Sequence, residues 1–224
     1  MCGRFTLTSD GKDLMDYLGV TNWDSDFSWQ PSHNIAPVQK IPVLTCKSER
    51  IIQGMYWGLV PNWSKDKKIG SRMINARIET LTKKPAYKNL VQSKRCIVIA
   101  DGYYEWMHSN HGKHPYYIHD PVNSILPFAG LWDEWTNDKK QSRLTCTIIT
   151  TKPSKELKHI HKRMPVILAK DRIDEWIDCS QQREKALKRL KPYTNTLVYH
   201  PVSTFVNNYV NNSQECIKPI IIGE

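Results

Sequence analysis

The feature that most constrains the fold is a series of short segments rich in β-branched and aromatic residues, each bounded by turn-forming residues. Segments of this length and composition are typical of strands, and the intervening sequence shows no regular alternation of strands with helices that would require a parallel sheet. We therefore predict an α+β fold: one β-rich domain over residues 1–224 with a mixed, closed or nearly closed β-barrel core and peripheral helices. The predicted strands cover residues 41–46, 51–60, 95–100, 103–107, 115–119 and 145–150.

Residues 103–119 are predicted to form a hairpin, because two aromatic-rich runs flank the polar, glycine-containing loop SNHGK. Helical signals are fewer. Ser9 and Asp10 can cap a helix through residue 18, and Pro153 can open a short helix through residue 158. Residues 171–177 and 181–191 have the spacing and composition of two further helices.

The charge of the chain favours a polyanionic partner. Its 224 residues include 32 Lys and Arg against 22 Asp and Glu, a formal net charge of +10. Such an excess steers anions from a distance, but charge alone does not separate nucleic acid from an acidic membrane surface, and a merely solvated basic surface stays open as an alternative. The 40% of hydrophobic residues supply a core that needs no disulfide or metal.

Several function classes are excluded by motifs that the sequence lacks. It contains no Walker loop, GxGxxG, HExxH or zinc-ligand spacing, so we expect no metal, no cofactor and no nucleotide cofactor. Its six cysteines are more than 30 residues apart, which favours reduced thiols in an intracellular protein. With no apolar leader or spanning segment, we expect no membrane association.

Cys2 differs from the other cysteines because it follows the initiator residue. Met1 is expected to be removed, since the next residue is small, which leaves Cys2 with a thiol and an α-amine on adjacent carbons. Such a 1,2-aminothiol condenses with an aldehyde to a five-membered thiazolidine ring. Both groups titrate near neutrality, at about 8 and 8.5, and the nearby Arg4 is expected to favour the thiolate.

Seven local strings, in order, resemble one family: MCGRF at the start, NIAPVQ (34–39), WGLVPNW (57–63), INARIET (74–80), ADGYYEW (100–106), FAGLW (128–132) and HKRMPVIL (161–168). Together they are similar to the SRAP family, SOS-response-associated proteins that process abasic sites in DNA. The resemblance covers most of the chain. It implies a β-rich α+β domain that acts in DNA damage repair, binds single-stranded DNA as a monomer and traps the abasic-site aldehyde in a covalent thiazolidine crosslink. The implied location is the cytoplasm, at the nucleoid in a bacterial or phage context, or the nucleus in a eukaryote.

The resemblance also implies roles for individual residues. Cys2 is the nucleophile, Asn75 and His161 position and sense the sugar, and Glu105 transfers protons. The DNA-binding residues that it implies are Arg77 and Arg163 on phosphates, with Arg4, Pro37, Trp63 and Thr150 along the strand near the lesion.

The chemistry of these residue types fits the implied reaction. His161 can donate a proton to the ring oxygen of the closed sugar near neutral pH, and Glu105 can serve as acid and base for imine formation. The imine also permits β-elimination, an abasic-site lyase side reaction. Each residue has an ordinary alternative: His161 as a surface or core histidine, Glu105 on an exposed strand face, and Asn75 as a turn residue.

Aromatic residues beside cations indicate how a single strand would be held. Trp63 follows Pro61 and precedes several lysines, so we expect it to stack on a base, whereas Trp57 is expected in the core. Two other functions stay open. One is an N-terminal-nucleophile cysteine peptidase with autoproteolytic activity, in which Cys2 attacks an amide and His161 is the base. The other is a single-strand binder without catalysis.

Overall fold

The computed structural model describes residues 2–46, 48–110, 112–190 and 193–221. Strands dominate this part of the chain, and its helices are short. The strands are β1 (Arg4–Leu7), β2 (Asn22–Trp23), β3 (Ser32–Ile35), β4 (Lys40–Cys46), β5 (Arg50–Trp57), β6 (Asn75–Arg77), β7 (Arg95–Ala100), β8 (Gly102–Ser109), β9 (Gly112–His119), β10 (Leu126–Thr136), β11 (Ser142–Thr151), β12 (Met164–Pro165) and β13 (Val198–Pro201). The helices are α1 (Gly11–Leu18), α2 (Pro85–Lys88), α3 (Leu90–Ser93), α4 (Ile173–Ile177) and α5 (Arg183–Arg189), with 3-10 turns at Lys67–Arg72, Ile78–Thr80, Lys170–Arg172, Thr204–Asn207 and Gln214–Cys216.

Five strands close into a barrel. β11, β10, β7, β4 and β5 pair antiparallel in that order, and β5 returns to β11 through a parallel pairing at Tyr56–Thr145 and Trp57–Cys146. One parallel pair among antiparallel ones makes the barrel mixed. The prediction of a β-rich α+β fold with a mixed barrel-like core is confirmed, and closure leaves these five strands without an unpaired edge where they meet.

A second, antiparallel sheet covers one side of the barrel, in the order β13-β9-β8-β1-β3. It contains the predicted hairpin of β8 and β9, paired from Gly102–His119 to Ser109–Gly112. Residue 111 of the predicted loop lies outside the described residues. Because side chains alternate along β8, Tyr104 packs in a separate outer cluster, whereas Tyr103 belongs to the main core.

The strand β6 extends the β11 edge beyond the point where β5 leaves it. Asn75 pairs with Ile148, and Arg77 pairs with Thr150, both in parallel register. The predicted strand over residues 51–60 therefore ends earlier, at Trp57, because the chain turns away at Gly58, which has a φ of +136°. That backbone conformation favours glycine.

Aromatic side chains fill the space between the barrel and the second sheet. The ring of Phe5 lies edge-on to Trp57 at 5.0 Å and to Phe128 at 6.2 Å, and Tyr103 meets Phe128 at 6.0 Å. All four residues are fully buried, which confirms that Trp57 is a core residue. Each such edge-on pair adds about 0.5–1.5 kcal/mol beyond the burial of its area.

The peripheral helices follow most of the predicted signals. Asp10 caps α1 by accepting the Asp13 N–H, and α4 and α5 lie within the two predicted carboxy-terminal segments; residue 191, the end of the second, lies outside the described residues. The helix predicted from Pro153 is wrong. Residues 155–160 form successive turns, with hydrogen bonds from Leu157 to Ser154 and from Ile160 to Leu157. Among the described residues, no helix is long and apolar enough to cross a membrane.

Candidate active site

Cys2 and Asn75 are joined directly by a hydrogen bond. The Asn75 side-chain amide donates to the Cys2 carbonyl oxygen at 2.7 Å. Cys2 lies just before β1 and is fully buried, and Asn75 is the first residue of β6. The alternative that Asn75 is a turn residue is therefore wrong. The amide oxygen of Asn75, Oδ1, is buried and has no hydrogen-bond partner within the described part of the chain. It can therefore accept a hydrogen bond from a bound molecule.

The Cys2 thiol is held in its neutral form. Burial raises its pKa well above the usual value, and the negative charge of Glu105 raises it further. The expectation that Arg4 favours the thiolate is wrong, because the Arg4 guanidinium is occupied elsewhere. It donates to Asn34 Oδ1 at 2.7 Å and to the backbone oxygens of Val206 and Asn207 at 2.9 and 3.1 Å.

Glu105 is a buried acid with a pKa in the neutral range. It projects from β8 on the same side as Tyr103, only 3% of it is exposed, and burial raises its pKa from 4.5 to about 7. The alternative of an exposed strand face is therefore wrong for Glu105. An acid with a pKa near the working pH can both donate and accept a proton.

Glu105 and His161 form a pair, with His161 Nδ1 at 3.3 Å from Glu105 Oε1. The turns over residues 155–160 deliver His161 to this position, and its Nδ1 also lies 3.0 Å from the Arg163 carbonyl oxygen. Burial lowers the pKa of the half-buried His161 while it raises that of Glu105. Both shifts favour the neutral forms of the two side chains.

Arg163 is tied to Glu79 rather than left open to solvent. Its Nη1 and Nη2 lie 2.8 and 3.1 Å from the two carboxylate oxygens of Glu79, a bidentate ion pair, and Nη2 also donates to the Thr150 carbonyl. The Thr150 side chain is buried, and its hydroxyl has no hydrogen-bond partner among the described residues. A phosphate at Arg163 would therefore compete with Glu79.

The other predicted DNA-binding residues lie closer to the surface. Arg77 is exposed, Pro37 is partly buried, and the Trp63 ring is 61% exposed. An indole so exposed next to lysines is unusual in a packed protein and suits a stacking surface.

The loop that carries Trp63 is fixed by hydrogen bonds on both sides of the ring. The Asn62 N–H donates to the buried carboxylate of Asp133 at 2.8 Å, and the Trp135 indole donates to the Ser64 carbonyl at 2.6 Å. Asp133 is in turn paired with Lys94 at 2.6 Å. The exposed ring is thus held by a rigid support, which limits the entropy that Trp63 would lose on stacking.

Sequence reasoning missed three residues that belong to this region. Tyr103 is fully buried, its hydroxyl has no partner among the described residues, and its pKa is raised first by burial and then by the charges of nearby Cys2 and Glu105. Glu79 holds Arg163, and Asn34 holds Arg4. All three lie inside strings quoted for the family resemblance, but nothing in their local spacing distinguishes them from structural residues.

The described residues contain no group of three or more His, Cys, Asp or Glu side chains arranged to hold a metal ion. The residues predicted to be catalytic instead lie in one region, which contains the buried Cys2 thiol and Glu105 carboxyl and the partly buried side chains of Asn75 and His161. Met1, whose removal the sequence predicts, lies outside the described residues.

A mixed β-barrel with a buried cysteine near a Glu–His pair makes this region the candidate active site. The chain belongs to the SOS response associated peptidase (SRAP) family, whose model matches residues 1–209. The resemblance inferred from the seven strings is thus confirmed.

Curated relatives agree with this assignment, and a solved structure shares the fold. The chain is 41% identical over 221 residues to a protein of Bacillus subtilis named abasic site processing protein YoaM, covering 97% of each chain. It is 37% identical to the Gallus gallus protein named abasic site processing protein HMCES, covering all of this chain and 79% of that one. A crystal structure of a Bacteroides thetaiotaomicron protein shares the fold, with a TM-score of 0.87, 24% identity and coverage of 98% of this chain and 100% of that one.

Proposed function

We propose that this protein processes abasic sites in single-stranded DNA by trapping their aldehyde on Cys2 as a covalent thiazolidine. Relatives that carry the name abasic site processing protein support the substrate class. The observation that carries the proposal is the arrangement around Cys2. Its carbonyl is bound by Asn75, and its thiol lies close enough to the Glu105–His161 pair for the charge of Glu105 to raise its pKa.

The first step of the proposed reaction opens the sugar and forms an imine. A proton from the Glu105–His161 pair goes to the ring oxygen, the pair takes up the proton of the anomeric hydroxyl, and the ring C–O bond breaks to free the aldehyde. The α-amine of Cys2, exposed once Met1 is removed, then adds to the aldehyde carbon. The carbinolamine hydroxyl leaves as water with a proton from the pair, and the proton lost from nitrogen returns to the pair, which gives the imine. The unpartnered Oδ1 of Asn75 can accept a hydrogen bond from a sugar hydroxyl or from the amine.

The second step closes the ring. The Cys2 sulfur bonds to the imine carbon, the C=N π bond breaks, and the thiol proton ends on nitrogen through Glu105. Because the thiol is neutral in the free protein, it does not compete with the amine at the first step. Loss of a proton from the neighbouring sugar carbon before ring closure would cleave the strand instead, which is the proposed lyase side reaction.

Single-stranded DNA is the proposed form of the substrate. The net charge of +10 attracts the phosphate backbone, and the exposed Trp63 and Arg77 offer a stacking ring and a cation on the surface. We propose that the protein binds as a monomer, since all the residues that the reaction uses come from one chain.

The test is a covalent adduct assay. Purified protein is incubated with a uracil-containing single strand that a uracil glycosylase has converted to an abasic site, and the products are separated on a denaturing gel. We expect a heat-stable adduct that disappears in Cys2→Ala and persists in the matched variant Cys46→Ala. An N-terminal extension that blocks the α-amine abolishes it as well. Glu105→Gln slows its formation by about 10²- to 10⁴-fold, the usual contribution of acid–base catalysis.

Two results would contradict the proposal. An adduct that survives Cys2→Ala would assign the chemistry to another residue. An adduct that forms equally well on duplex DNA would remove the strand preference.

The peptidase alternative, which the family's name suggests, is less well supported by the site. A cysteine peptidase depends on a thiolate with a lowered pKa, whereas burial raises the pKa of Cys2. Cleavage of a peptide substrate that is lost in Cys2→Ala, with no DNA adduct, would favour the alternative.

A further inference from the structure

A cavity with a volume of about 240 Å³ lies beside the point where β5 leaves the barrel. Pockets for drug-sized ligands measure about 300–1,000 Å³, so this one suits a single ring system. The described residues that line it include three apolar or aromatic side chains and three cations: Val38, Tyr56, Val60, Lys67, Lys68 and Arg143. None of them takes part in the chemistry proposed for Cys2.

The walls of the cavity differ in chemistry. Val38, Val60 and Tyr56 contribute apolar surface to the lining, and Lys67, Lys68 and Arg143 contribute three cations. Among the described residues that line it there is no Asp or Glu. Apolar walls with three cations in the lining complement a flat, weakly polar ring that carries a negative group.

Arg143 gives the cavity a stacking surface. Its guanidinium carbon lies over the Tyr56 ring, 4.0 Å from the ring centre, so the cation is already in contact with an aromatic face. An arginine plane fixed in this way can stack on a second ring, as arginines do with nucleobases, whereas a lysine ammonium in the same place would offer only a point charge.

The cavity is built by unusual backbone rather than left by loose packing. Gly58 and Gly70 approach so closely that a Cβ on Gly70 would lie 2.7 Å from the Gly58 carbonyl oxygen. At the rim, Val38 adopts a φ of +71°, an outlier for a β-branched residue, and its N–H donates to the Trp57 carbonyl at 2.7 Å. Its side chain is nonetheless half exposed. Strained residues of this kind concentrate at binding sites.

The position along β11 relates the cavity to the active site. Thr145 lines the cavity, and Ile148, three residues further along the same strand, pairs with Asn75. Three residues of a strand span about 10 Å. At about 3.4 Å for each stacked nucleotide, the separation of Thr145 and Ile148 equals about three nucleotides, which puts the cavity a few nucleotides from the lesion.

We propose that this cavity binds one nucleobase of the DNA strand beside the abasic site, stacked on Arg143, with the adjoining phosphates near Lys67 and Lys68. The subsite rests on the proposed function, because that function supplies the DNA strand. It adds a contact between one residue, Arg143, and a base next to the lesion. The cavity would fix the register of the strand, so that the lesion falls at Cys2.

The test measures non-covalent binding, so that it does not depend on the chemistry at Cys2. A fluorescent single strand carries tetrahydrofuran, an abasic analogue without an aldehyde, at the lesion position. In a series of strands, a second tetrahydrofuran replaces each base within three positions on either side. We expect the Kd for wild type to rise at least about fivefold at one of these positions, which is the effect of losing one stacked base.

The variant Arg143→Lys separates stacking from charge. It keeps the positive charge, so the salt dependence of binding stays unchanged. The rise in Kd at the sensitive base position, however, falls to about twofold or less. Arg183→Ala, in α5 and outside the lining of the cavity, is the control and keeps the position-specific loss. Urea unfolding of Arg143→Lys checks that the protein remains folded.

Three outcomes overturn the subsite. They are a Kd that is insensitive to every base position, a position-specific loss that persists in Arg143→Lys, and occupation of the cavity by free deoxythymidine monophosphate with no effect on strand binding. Failure of the proposed function is distinguishable: the position dependence would remain while wild type forms no adduct on a natural abasic site.

Discussion

Replacing Glu105 with Gln should stabilise the protein at alkaline pH and have progressively less effect as the pH falls. Glu105 is a buried carboxyl whose pKa is raised by burial from 4.5 to about 7. Below pH 4.5 it is protonated in both the folded and the unfolded chain. Between pH 4.5 and 7 the unfolded chain ionises first, so the free energy of unfolding falls as the pH rises.

The size of the effect follows from these two pKa values. At about 1.36 kcal/mol per pH unit, the full difference between pH 4.5 and about 7 lowers the free energy of unfolding by about 3.4 kcal/mol. Between pH 5 and pH 8 the titration accounts for about 2.5 kcal/mol of it. Glutamine has nearly the same shape and no charge, so this penalty is absent from Glu105→Gln at every pH.

The assay is urea unfolding of wild type and Glu105→Gln at pH 5, 6, 7 and 8. We expect the advantage of the variant to grow by about 2.5 kcal/mol across this range, which corresponds to about 5–10 °C in Tm for a chain of this length. Any effect of the amide on packing is the same at every pH and cancels in the comparison. A difference between the two proteins that does not change with pH would refute the raised pKa, and with it the role of Glu105 as an acid near neutrality.

Three further predictions concern the surroundings of the site. Glu79→Gln frees Arg163 from its bidentate partner, so single strands should bind more tightly and the slope of log Kd against log salt should steepen by about 0.7; an unchanged slope would contradict the competition between Glu79 and phosphate. Gly70→Ala places a Cβ 2.7 Å from a backbone oxygen and should lower the free energy of unfolding by about 1–3 kcal/mol in urea; a change below about 0.5 kcal/mol would show that the close approach is not required. Asp133→Ala removes the acceptor that anchors the Trp63 loop, so amide exchange there should become at least about tenfold faster, whereas unaltered exchange would show that the loop is held by other contacts.

The sequence predicts those parts of the fold whose signal is local. The strand over residues 145–150 and the hairpin over residues 103–119 are read from residue type and turn formers, and both are confirmed. Local signal failed at Pro153, where the residue type permits a helix but the chain makes a series of turns that end at His161. The conformation of such turns depends on contacts with residues distant in the sequence, so no periodic pattern of residue types predicts it.

Strands defined by their partners were missed for the same reason. β6 is only three residues long and exists because β11 offers it an open edge after β5 departs. Asn75 alone is therefore compatible with a turn, and its bond to Cys2 across 73 residues could be expected from the family resemblance but not from spacing. The shifted pKa values of Cys2 and Glu105 could not be predicted from the sequence either, because the burial that causes them is a property of the assembled fold.

The distribution of charge is compatible with both parts of the proposed function, the binding of a polyanion and the formation of an imine. The excess of positive charge that attracts DNA lies largely on exposed lysines and arginines such as Arg77. Inside, burial favours the neutral forms of the Cys2 thiol, the Glu105 carboxyl and the His161 ring. If the surface cations reached these groups, they would favour the thiolate and the carboxylate, and the carboxyl would lose the proton that loss of water from the condensing amine requires. Arg163 is paired with Glu79, and Arg4 is bound by Asn34 and a backbone oxygen, so both of these partly buried cations have partners other than the acid; we infer that these contacts help to keep the acid protonated as well as supporting the fold.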